Sequence, residues 1–458
     1  MRVGHSHART VVSVAALLFF GTAPPFAHAQ GVPPGLLPAG ANTTNPSAPF
    51  YIDLTGLDFR TNPPTRNPLN PNYPSAIEIA NGRLPPVTNG NFIIGPTHPT
   101  AIEVTTVPTG KVYSFTMRSS DSKIYPTGLV RVEPNFDYIN QFGQTAPGDF
   151  STLLVPNCFT PNVKYCSEVG TWTRKVTIYV PRQARDRGDL PFIVSGDGNS
   201  SFPGSDSFES LLFPTLDGLI NERRIPPMVA ITVENGGQDA QGSQRGFEYD
   251  SMNGQYAEFV DTEVLPLVEK AAGLRLTRNP AGRIAMGGSA SGEAVFTMAW
   301  FHPELFGKVL AYSPTFTNQQ WPHNPNLPGG AWEYHSKYAG PIPNPLLETE
   351  GFMFLPPGPQ PTKQPAASPL IPNSPKKPIR MWFEVGDHDE WFPNQMADGM
   401  HDYVLACETM AKVLAAKGYE YQFIFARNAG HGDPPTMRQT LPHAIEYLMQ
   451  GYRPDTDY

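Results

Sequence analysis

The sequence predicts an α/β fold with a mostly parallel central sheet and helices on both faces. Short apolar runs, bounded by Gly, Pro, Asn and Asp, alternate with longer segments of helical periodicity. Strands that alternate with helices indicate βαβ units, whose crossover connections cover both faces of the sheet. Ligands bind such sheets beyond the carboxyl ends of the strands, so we expect the functional residues there.

The first 29 residues have the pattern of an export signal rather than of a folded element. Arg2 and Arg9 form a positive start, residues 11–20 are apolar, and Ala27 and Ala29 form an A-x-A cleavage site. The apolar run is too short for a stable membrane anchor, and no later run reaches about 18 apolar residues. We expect a secreted or periplasmic protein that begins near Gln30 and lacks a membrane anchor.

Residues 30–109 are rich in Pro, Asn and Thr and show little periodicity. Such a composition orders only against another surface, so this segment is predicted as an N-terminal arm without a core of its own. The α/β domain is predicted over residues 110–458. Alternating segments at 111–117 and 174–181 indicate antiparallel strands that open its sheet. Insertions are predicted near residues 120–170 and 315–376.

The rest of the domain consists of predicted strands and helices in alternation. Strands are predicted at 192–195, 228–233, 284–286, 308–312, 378–385 and 421–425, and helices at 208–220, 256–272 and 403–416. A helix is also predicted directly after residue 289, where apolar residues recur on one side.

Composition and cysteine spacing narrow the class of protein. The chain carries 41 acidic and 33 basic side chains, and without a basic cluster it offers no surface for nucleic acid. Cys158 and Cys166 bracket a short polar loop, which in an exported protein predicts a disulfide. Cys407 lies in a predicted helix and is expected to be a buried free thiol. Since no two cysteines form a CxxC pair, a zinc–thiolate site is not expected.

The turn at residues 287–291 carries the strongest chemical signal. Its sequence, Gly-Gly-Ser-Ala-Ser, fits G-x-S-x-G except that Ser291 replaces the last glycine. The motif needs small residues because its serine sits on a strained strand-to-helix turn. A serine there lies near free helix N–H groups that favour negative charge. Ser289 is the predicted nucleophile. Ser291 is the alternative, although it would place Ser289 and Glu293 where the motif requires glycines. The non-catalytic alternative is that this segment is a Gly/Ser-rich turn with only a structural role.

The order of later residues favours the catalytic interpretation. An α/β-hydrolase presents nucleophile, acid and histidine in that order, the last two after later strands. Asp389 lies in the loop after the strand at 378–385, and His431 lies in the loop after the strand at 421–425. Ser289, Asp389 and His431 are therefore the predicted triad, with Asp387 as the alternative acid. Residues 387–390 also resemble a metal cluster, but adjacent residues rarely converge on one ion, so no metal or cofactor is predicted.

The tetrahedral intermediate of acyl transfer needs two N–H donors at its oxygen. We predict that Ala290 supplies one of them, and that Gly198 and Asn199, in a glycine-rich turn after an early strand, supply the other. Trp332 and Tyr334, in the second insertion, are predicted to contact the substrate. Anchoring of their own loop is the equal alternative.

The charged residues Arg245, Glu248 and Asp250 could face the substrate, but a structural ion-pair network is the favoured prediction for them.

These motifs resemble the Putative esterase family of the α/β-hydrolase fold, which includes enterochelin-esterase-like, feruloyl-esterase-like and S-formylglutathione-hydrolase-like proteins. The resemblance extends from about Lys111 to Tyr452, and it is closest to exported enterochelin-esterase-like members. Its marks are Asp-Gly at 197–198, RGFEYD at 245–250, the turn at 287–292, GAWEYHS at 330–336, GDHD at 386–389 and Gly-His at 430–431.

The resemblance implies hydrolysis of carboxylic esters, with Ser289 as nucleophile, Asp389 as acid and His431 as base. Ala290 and Ser291 stand where those members have Ser and Gly. We therefore expect the backbone of this turn to differ slightly from that of those members. The expected function is that of an exported serine esterase acting on a small-molecule ester. An acyltransferase of the same fold, which requires a dry pocket and an acceptor groove, is one alternative. A non-catalytic binding protein on the same scaffold, which would have a broken triad, is the other.

Overall fold

The computed structural model of the protein describes eleven stretches of the chain. They are residues 75–99, 109–131, 137–139, 145–147, 167–184, 188–198, 208–237, 244–316, 338–339, 370–389 and 403–454. The predicted signal peptide, most of the predicted arm, both cysteines of the predicted disulfide, Asn199, Trp332 and Tyr334 lie outside them.

A ten-stranded sheet forms the centre of the described structure, beside two small two-stranded sheets. The strands are β1 (Ile77–Glu78), β2 (Gly90–Ile94), β3 (Lys111–Arg118), β4 (Gly128–Arg131), β5 (Asp137–Ile139), β6 (Thr145–Pro147), β7 (Ser167–Gly170), β8 (Thr173–Val180), β9 (Phe192–Ser195), β10 (Val229–Val233), β11 (Arg283–Gly288), β12 (Lys308–Tyr312), β13 (Arg380–His388) and β14 (Glu420–Gly430). The order in the main sheet is β1-β2-β14-β13-β12-β11-β9-β10-β8-β3.

All neighbouring strands from β1 to β10 in this order pair in parallel, and β8 pairs antiparallel with both β10 and β3. The four strands β11 to β14 lie side by side in the middle of the sheet. Because they are parallel, their carboxyl ends share one edge, and the loops that follow them meet there.

Helices cover both faces of this sheet. They are α1 (Phe208–Asn221), α2 (Gln244–Tyr249), α3 (Gln255–Phe259), α4 (Leu265–Ala272), α5 (Ala290–Phe301), α6 (Leu370–Asn373), α7 (Tyr403–Ala416) and α8 (Pro434–Met449), with a π-helical turn (Val260–Val264) joining α3 to α4.

Two apolar cores, one on each face of the sheet, hold these layers together. One contains Leu212 of α1 and Ile445 of α8. The other contains Phe259 of α3, Val295 of α5 and Met410 of α7. Since both sheet faces are buried, β10, β11 and β12 are buried along their whole length, as parallel strands between two helical layers must be. The fold is the predicted α/β-hydrolase fold.

Most of the predicted strands and helices occur where the sequence placed them. The helix predicted at 403–416 and the strands predicted at 192–195 and 308–312 have the predicted bounds. The last two strands are longer than predicted, and β14 continues to Gly430, directly before His431.

The amino-terminal boundary of the domain differs from the prediction. Residues 75–99 were predicted to belong to the arm, yet β2 pairs with β14 inside the main sheet. There β2 covers the open edge of β14. Phe92 and Ile94 are buried in the core that contains α8, and Ile93 is buried in the core on the other face. The division into arm and domain otherwise stays a prediction.

The first predicted insertion contains the two small sheets, β4 with β7 and β5 with β6. Of the second, residues 315–316, 338–339 and 370–376 are described. Across the described part of the chain, no helix is both long enough and apolar enough to cross a bilayer.

Candidate active site

Ser289 lies on a strained turn between β11 and α5. Its backbone has φ 54° and ψ −132°, a conformation that non-glycine residues rarely adopt. The turn is so tight that a Cβ on Gly287 would lie 2.3 Å from the carbonyl oxygen of Ser291. A glycine is therefore required at 287, two residues before the serine, as the motif predicts. Ser289 remains partly exposed, whereas Gly288 and Ala290 on either side are buried.

Ser291, the alternative nucleophile, is fully buried. Its Oγ donates a hydrogen bond to the carbonyl oxygen of Gly288 at 2.7 Å and accepts one from the Gly288 N–H at 3.0 Å. Both hydrogen bonds close the turn on itself. The hydroxyl that replaces the motif's last glycine therefore stabilises the turn from inside and has no path to a substrate.

Asp389 and His431 form a hydrogen-bonded pair at the ends of the neighbouring strands β13 and β14. His431 Nδ1 lies 2.6 Å from Asp389 Oδ1. The Asp389 side chain is fully buried and that of His431 is 8% exposed. Since the carboxylate only accepts hydrogen bonds, the Nδ1 position carries the proton and donates it. This arrangement fixes the tautomer and leaves Nε2 as the basic nitrogen.

A bulge in β14 lies beside these two side chains. The register between β13 and β14 shifts between Gly386 and His388. At this point the two backbones are so close that a Cβ on Gly386 would lie 2.3 Å from the carbonyl oxygen of Ala429. Bulges of this kind re-aim side chains near functional sites, and here His431 follows directly after the bulged segment of β14.

Asp387, the alternative acid, has a different partner. Its Oδ1 accepts a hydrogen bond from the backbone N–H of Ala429 on β14 at 3.2 Å. This partner lies on the strand adjacent to β13. Asp387 thus joins the ends of β13 and β14, while Asp389 contacts the histidine.

The residues after β12 connect the serine turn to the histidine loop. The N–H of Thr315 donates to the carbonyl oxygen of Ser289 at 3.2 Å. The Oγ of Ser313 accepts a hydrogen bond from the N–H of Gly432, which follows His431, at 3.0 Å. Ser313 in turn donates its N–H to the carbonyl oxygen of Glu384 on β13. These contacts hold the loops after β11, β12 and β14 in one arrangement.

The turn after β9 is fixed to helix α2 by a buried ion pair. Asp197 has φ 51° and is 2% exposed. Arg245 Nη2 lies 2.8 Å from its Oδ2, and Asn235 donates to its Oδ1 at 2.7 Å. Burial alone would raise the pKa of Asp197, but the Arg245 charge and hydrogen bonds from Arg245 and Asn235 hold it below its ordinary value.

The structure corrects one part of the predicted oxyanion hole. The N–H of Gly198 donates to the carbonyl oxygen of Val233 at 3.0 Å, because the turn continues the pairing of β9 with β10. That N–H is therefore engaged and does not serve an oxyanion. Asn199 lies outside the described residues. Ala290 is the first residue of α5, where an N–H has no acceptor within the helix.

Glu384 is a buried acid near the pair that the sequence did not single out. It is 1% exposed, and among the described residues neither carboxyl oxygen has a well-formed hydrogen bond. Burial raises the pKa of Glu384 well above its ordinary value, and the charges of Asp389 and Asp433 raise it further. In the sequence, Glu384 could have been found as an acidic residue between the apolar residues Phe383 and Val385 of a predicted strand.

The favoured ion-pair role of Arg245 and Glu248 agrees with their contacts. Arg245 pairs with Asp197 as described, and both terminal nitrogens of Arg174 bond the Glu248 carboxylate, with all of these side chains largely buried. Asp250 is also buried.

No group of three or more His, Cys, Asp or Glu within the described stretches has the arrangement of a metal site.

The sheet order and the serine turn at the end of β11 place the protein in the class of α/β-hydrolases. Residues 167–444, more than half of the chain, match the family described as Putative esterase. The chain belongs to this family and is a hydrolase that acts on esters.

Several solved structures are similar to the chain. A ferulic acid esterase matches at 15% identity and a TM-score of 0.41, over 74% of this chain and 98% of that one. The enterobactin esterase FES from Shigella flexneri, solved with enterobactin, matches at 20% identity and a TM-score of 0.38, over 61% and 56%. The BES protein from Bacillus cereus matches at 13% identity and a TM-score of 0.39, over 76% and 99%. The chain thus covers little more than half of the enterobactin esterase. No curated protein matches it significantly.

Proposed function

We propose that the protein is an exported serine esterase that cleaves a small-molecule carboxylic ester through an acyl-enzyme on Ser289. The observation that supports this most is the 2.6 Å hydrogen bond between His431 and Asp389. It lies at the same sheet edge as the strained turn that presents Ser289. A buried carboxylate that holds an imidazole in one tautomer, beside a serine on such a turn, is the arrangement that acyl transfer requires.

In the first step, His431 Nε2 accepts the Ser289 proton as the serine Oγ attacks the ester carbonyl carbon. The carbonyl π electrons move to the oxygen, which becomes the oxyanion of a tetrahedral intermediate. Asp389 stabilises the imidazolium that forms. The N–H of Ala290 donates to the oxyanion, and the N–H of Asn199, rather than that of Gly198, is the proposed second donor.

The intermediate then collapses. The carbonyl re-forms, the bond to the leaving oxygen breaks, and His431 gives its proton to that oxygen, so the alcohol departs and an acyl-serine remains. A water molecule attacks the acyl carbon while His431 accepts one of its protons. Collapse of this second intermediate returns the proton to Ser289 and releases the carboxylic acid.

The substrate is proposed to be a small ester with an apolar or aromatic part that contacts Trp332 and Tyr334. A panel of nitrophenyl acetate, butyrate and octanoate, methyl ferulate and a catecholate trilactone separates the main classes of acyl group and alcohol. We expect cleavage of at least one member, and loss of that cleavage in Ser289→Ala.

The nucleophile is tested by covalent labelling with a fluorophosphonate. Wild type and Ser291→Ala should be labelled at residue 289, because the Ser291 hydroxyl is buried and bonded within the turn. Ser289→Ala should be neither labelled nor active while it retains its fold. Labelling that persists in Ser289→Ala but disappears in Ser291→Ala would reverse the assignment.

A further inference from the structure

Tyr403 contacts the proposed catalytic histidine directly. Its ring packs against the His431 ring with centroids 5.3 Å apart and planes at 83°. Tyr403 is 1% exposed and is the first residue of α7, which packs on β13 and β14. The tyrosine therefore sits on the helix that covers the strands leading to Asp389 and His431.

The hydroxyl of Tyr403 reaches toward the serine turn. It lies 3.3 Å from the Oγ1 of Thr315. The backbone N–H of Thr315 donates to the carbonyl oxygen of Ser289. A chain of contacts thus runs from the His431 ring through Tyr403 and Thr315 to the backbone of the nucleophile.

A second contact holds this end of α7 in place. Cys407, one turn after Tyr403, is fully buried, and its Sγ lies 4.0 Å from the carbonyl oxygen of Pro314. The contacts of Tyr403 and Cys407 both reach the segment that follows β12, at Thr315 and Pro314 respectively. The position of Tyr403 relative to Ser289 is therefore fixed by two neighbouring contacts rather than by the hydroxyl alone.

The hydrogen bond to Asp389 fixes one edge of the imidazole, and the tilt of the ring about that bond depends on its other contacts. The Tyr403 ring, packed at a right angle, restricts this tilt, because an edge-to-face aromatic contact constrains the orientation of both rings. Reactive geometry tolerates little error, since a displacement of about 1 Å can cost about 100-fold in rate.

We propose that Tyr403 is a positioning residue that sets the tilt of the His431 imidazole and keeps its Nε2 in register with Ser289. This inference rests on the proposed function of Ser289 and His431. Tyr403 acts through the histidine, and its ring does most of the positioning while its hydroxyl fixes the helix to the serine turn.

The test compares Tyr403→Phe and Tyr403→Leu in the full-length protein. The Phe variant keeps the ring and should lose less than about tenfold in kcat. The Leu variant should lose about 100-fold in kcat with KM changed less than about threefold. The Leu variant should also broaden the downfield proton resonance of the His431 Nδ1–H, because the imidazole gains freedom, and the Phe variant should retain it.

Tyr447→Leu is the matched control. Tyr447 is equally buried, at 1% exposure, and its hydroxyl bonds Asn89. It lies near Arg380, the first residue of β13, at the opposite edge of the sheet. Its loss should cost stability without changing kcat per folded molecule. Equal loss of kcat in Tyr447→Leu and Tyr403→Leu would overturn the inference, as would a loss confined to KM.

The rate of fluorophosphonate labelling separates the inference from the proposed function. If wild type is labelled at Ser289 and Tyr403→Leu is labelled much more slowly, the inference is supported. If Tyr403→Leu is labelled as fast as wild type, the inference fails while the proposed function stands. If wild type is not labelled at Ser289, the proposed function fails and the inference is overturned with it.

Discussion

Ser289 and Ser291 are two residues apart, yet Ser289 is partly exposed and Ser291 is fully buried. The sequence favoured Ser289 from the requirement for small neighbours, and the backbone at Ser289 has the strained geometry that explains this requirement. The sequence did not indicate what Ser291 contributes in place of glycine. Its hydroxyl bonds both backbone groups of Gly288, a contact that depends on the turn being already closed.

The two aspartates of the loop after β13 should separate catalysis from stability. Asp389→Asn should lower kcat by about 10⁴-fold and keep the fold, because an amide no longer holds His431 in the required tautomer. Asp387→Asn should retain most activity and lose about 1 kcal/mol of stability, since its bond to the Ala429 N–H loses its charge. Steady-state kinetics and urea unfolding measure both effects. A folded but inactive Asp387→Asn beside an active Asp389→Asn would contradict the assignment.

Glu384 makes the stability of the fold depend on pH. Its pKa is raised in the folded protein, so above about pH 4.5 the folded state retains a proton that the unfolded state has released. Stability from this group is complete below that pH and is lost as pH rises toward the folded pKa. The loss is at most about 1.4 kcal/mol per pH unit.

Glu384→Gln removes this titration while keeping the shape of the side chain. Urea unfolding of both proteins at pH 5, 6, 7 and 8 should show the stability of Glu384→Gln, relative to wild type, increasing with pH. In the difference between the two proteins, the contributions of the other titrating groups to the pH dependence of stability cancel, because both proteins contain those groups. A difference that stays constant over this range, or that falls, would show that Glu384 is ionised in the folded protein.

At the scale of elements, alternation and length were sufficient to predict most strands and helices. The run at residues 308–312 is short and contains a β-branched and an aromatic residue, as strands do. The segment 403–416 is too long for a typical strand and therefore indicates a helix. The short strand β2 was not predicted. Its five residues, GNFII, lie among prolines and asparagines, and their strand conformation depends on pairing with β14, which is distant in sequence.

The Asp197–Arg245 ion pair joins the turn after β9 to helix α2. The effects of substituting its two members on the free energy of unfolding should therefore be strongly coupled. Arg245→Met should destabilise the protein by about 3–5 kcal/mol, because it leaves the Asp197 carboxylate buried without its partner. Asp197→Asn in that background should restore part of the loss. A double-mutant cycle in urea measures this coupling. Additive effects of the two substitutions would show that the pair does not hold the turn.

At the scale of the whole molecule, export and disulfide formation are linked predictions. The mature protein should begin near Gln30 and carry a Cys158–Cys166 disulfide, leaving only Cys407 reduced. Intact mass after alkylation in denaturant without reductant should show one modified cysteine, and Cys407→Ala should show none. Because Cys407 is fully buried, the native protein should not be modified. Three modified cysteines would exclude the disulfide.

The sequence by itself determined the order of the strands along the chain, the turn that carries Ser289, and the loops that carry Asp389 and His431. These properties are local, because they depend on periodicity, on small residues in a tight turn and on the ends of apolar runs. Only the tertiary structure decided between Asp387 and Asp389 as partner of His431, engaged the Gly198 N–H in the sheet, and buried Glu384 beside the pair. Each of these depends on which strands become neighbours, and the pairing of Asp389 with His431 also lies beside a bulge in β14. Such contacts between distant residues leave no periodic pattern in the chain.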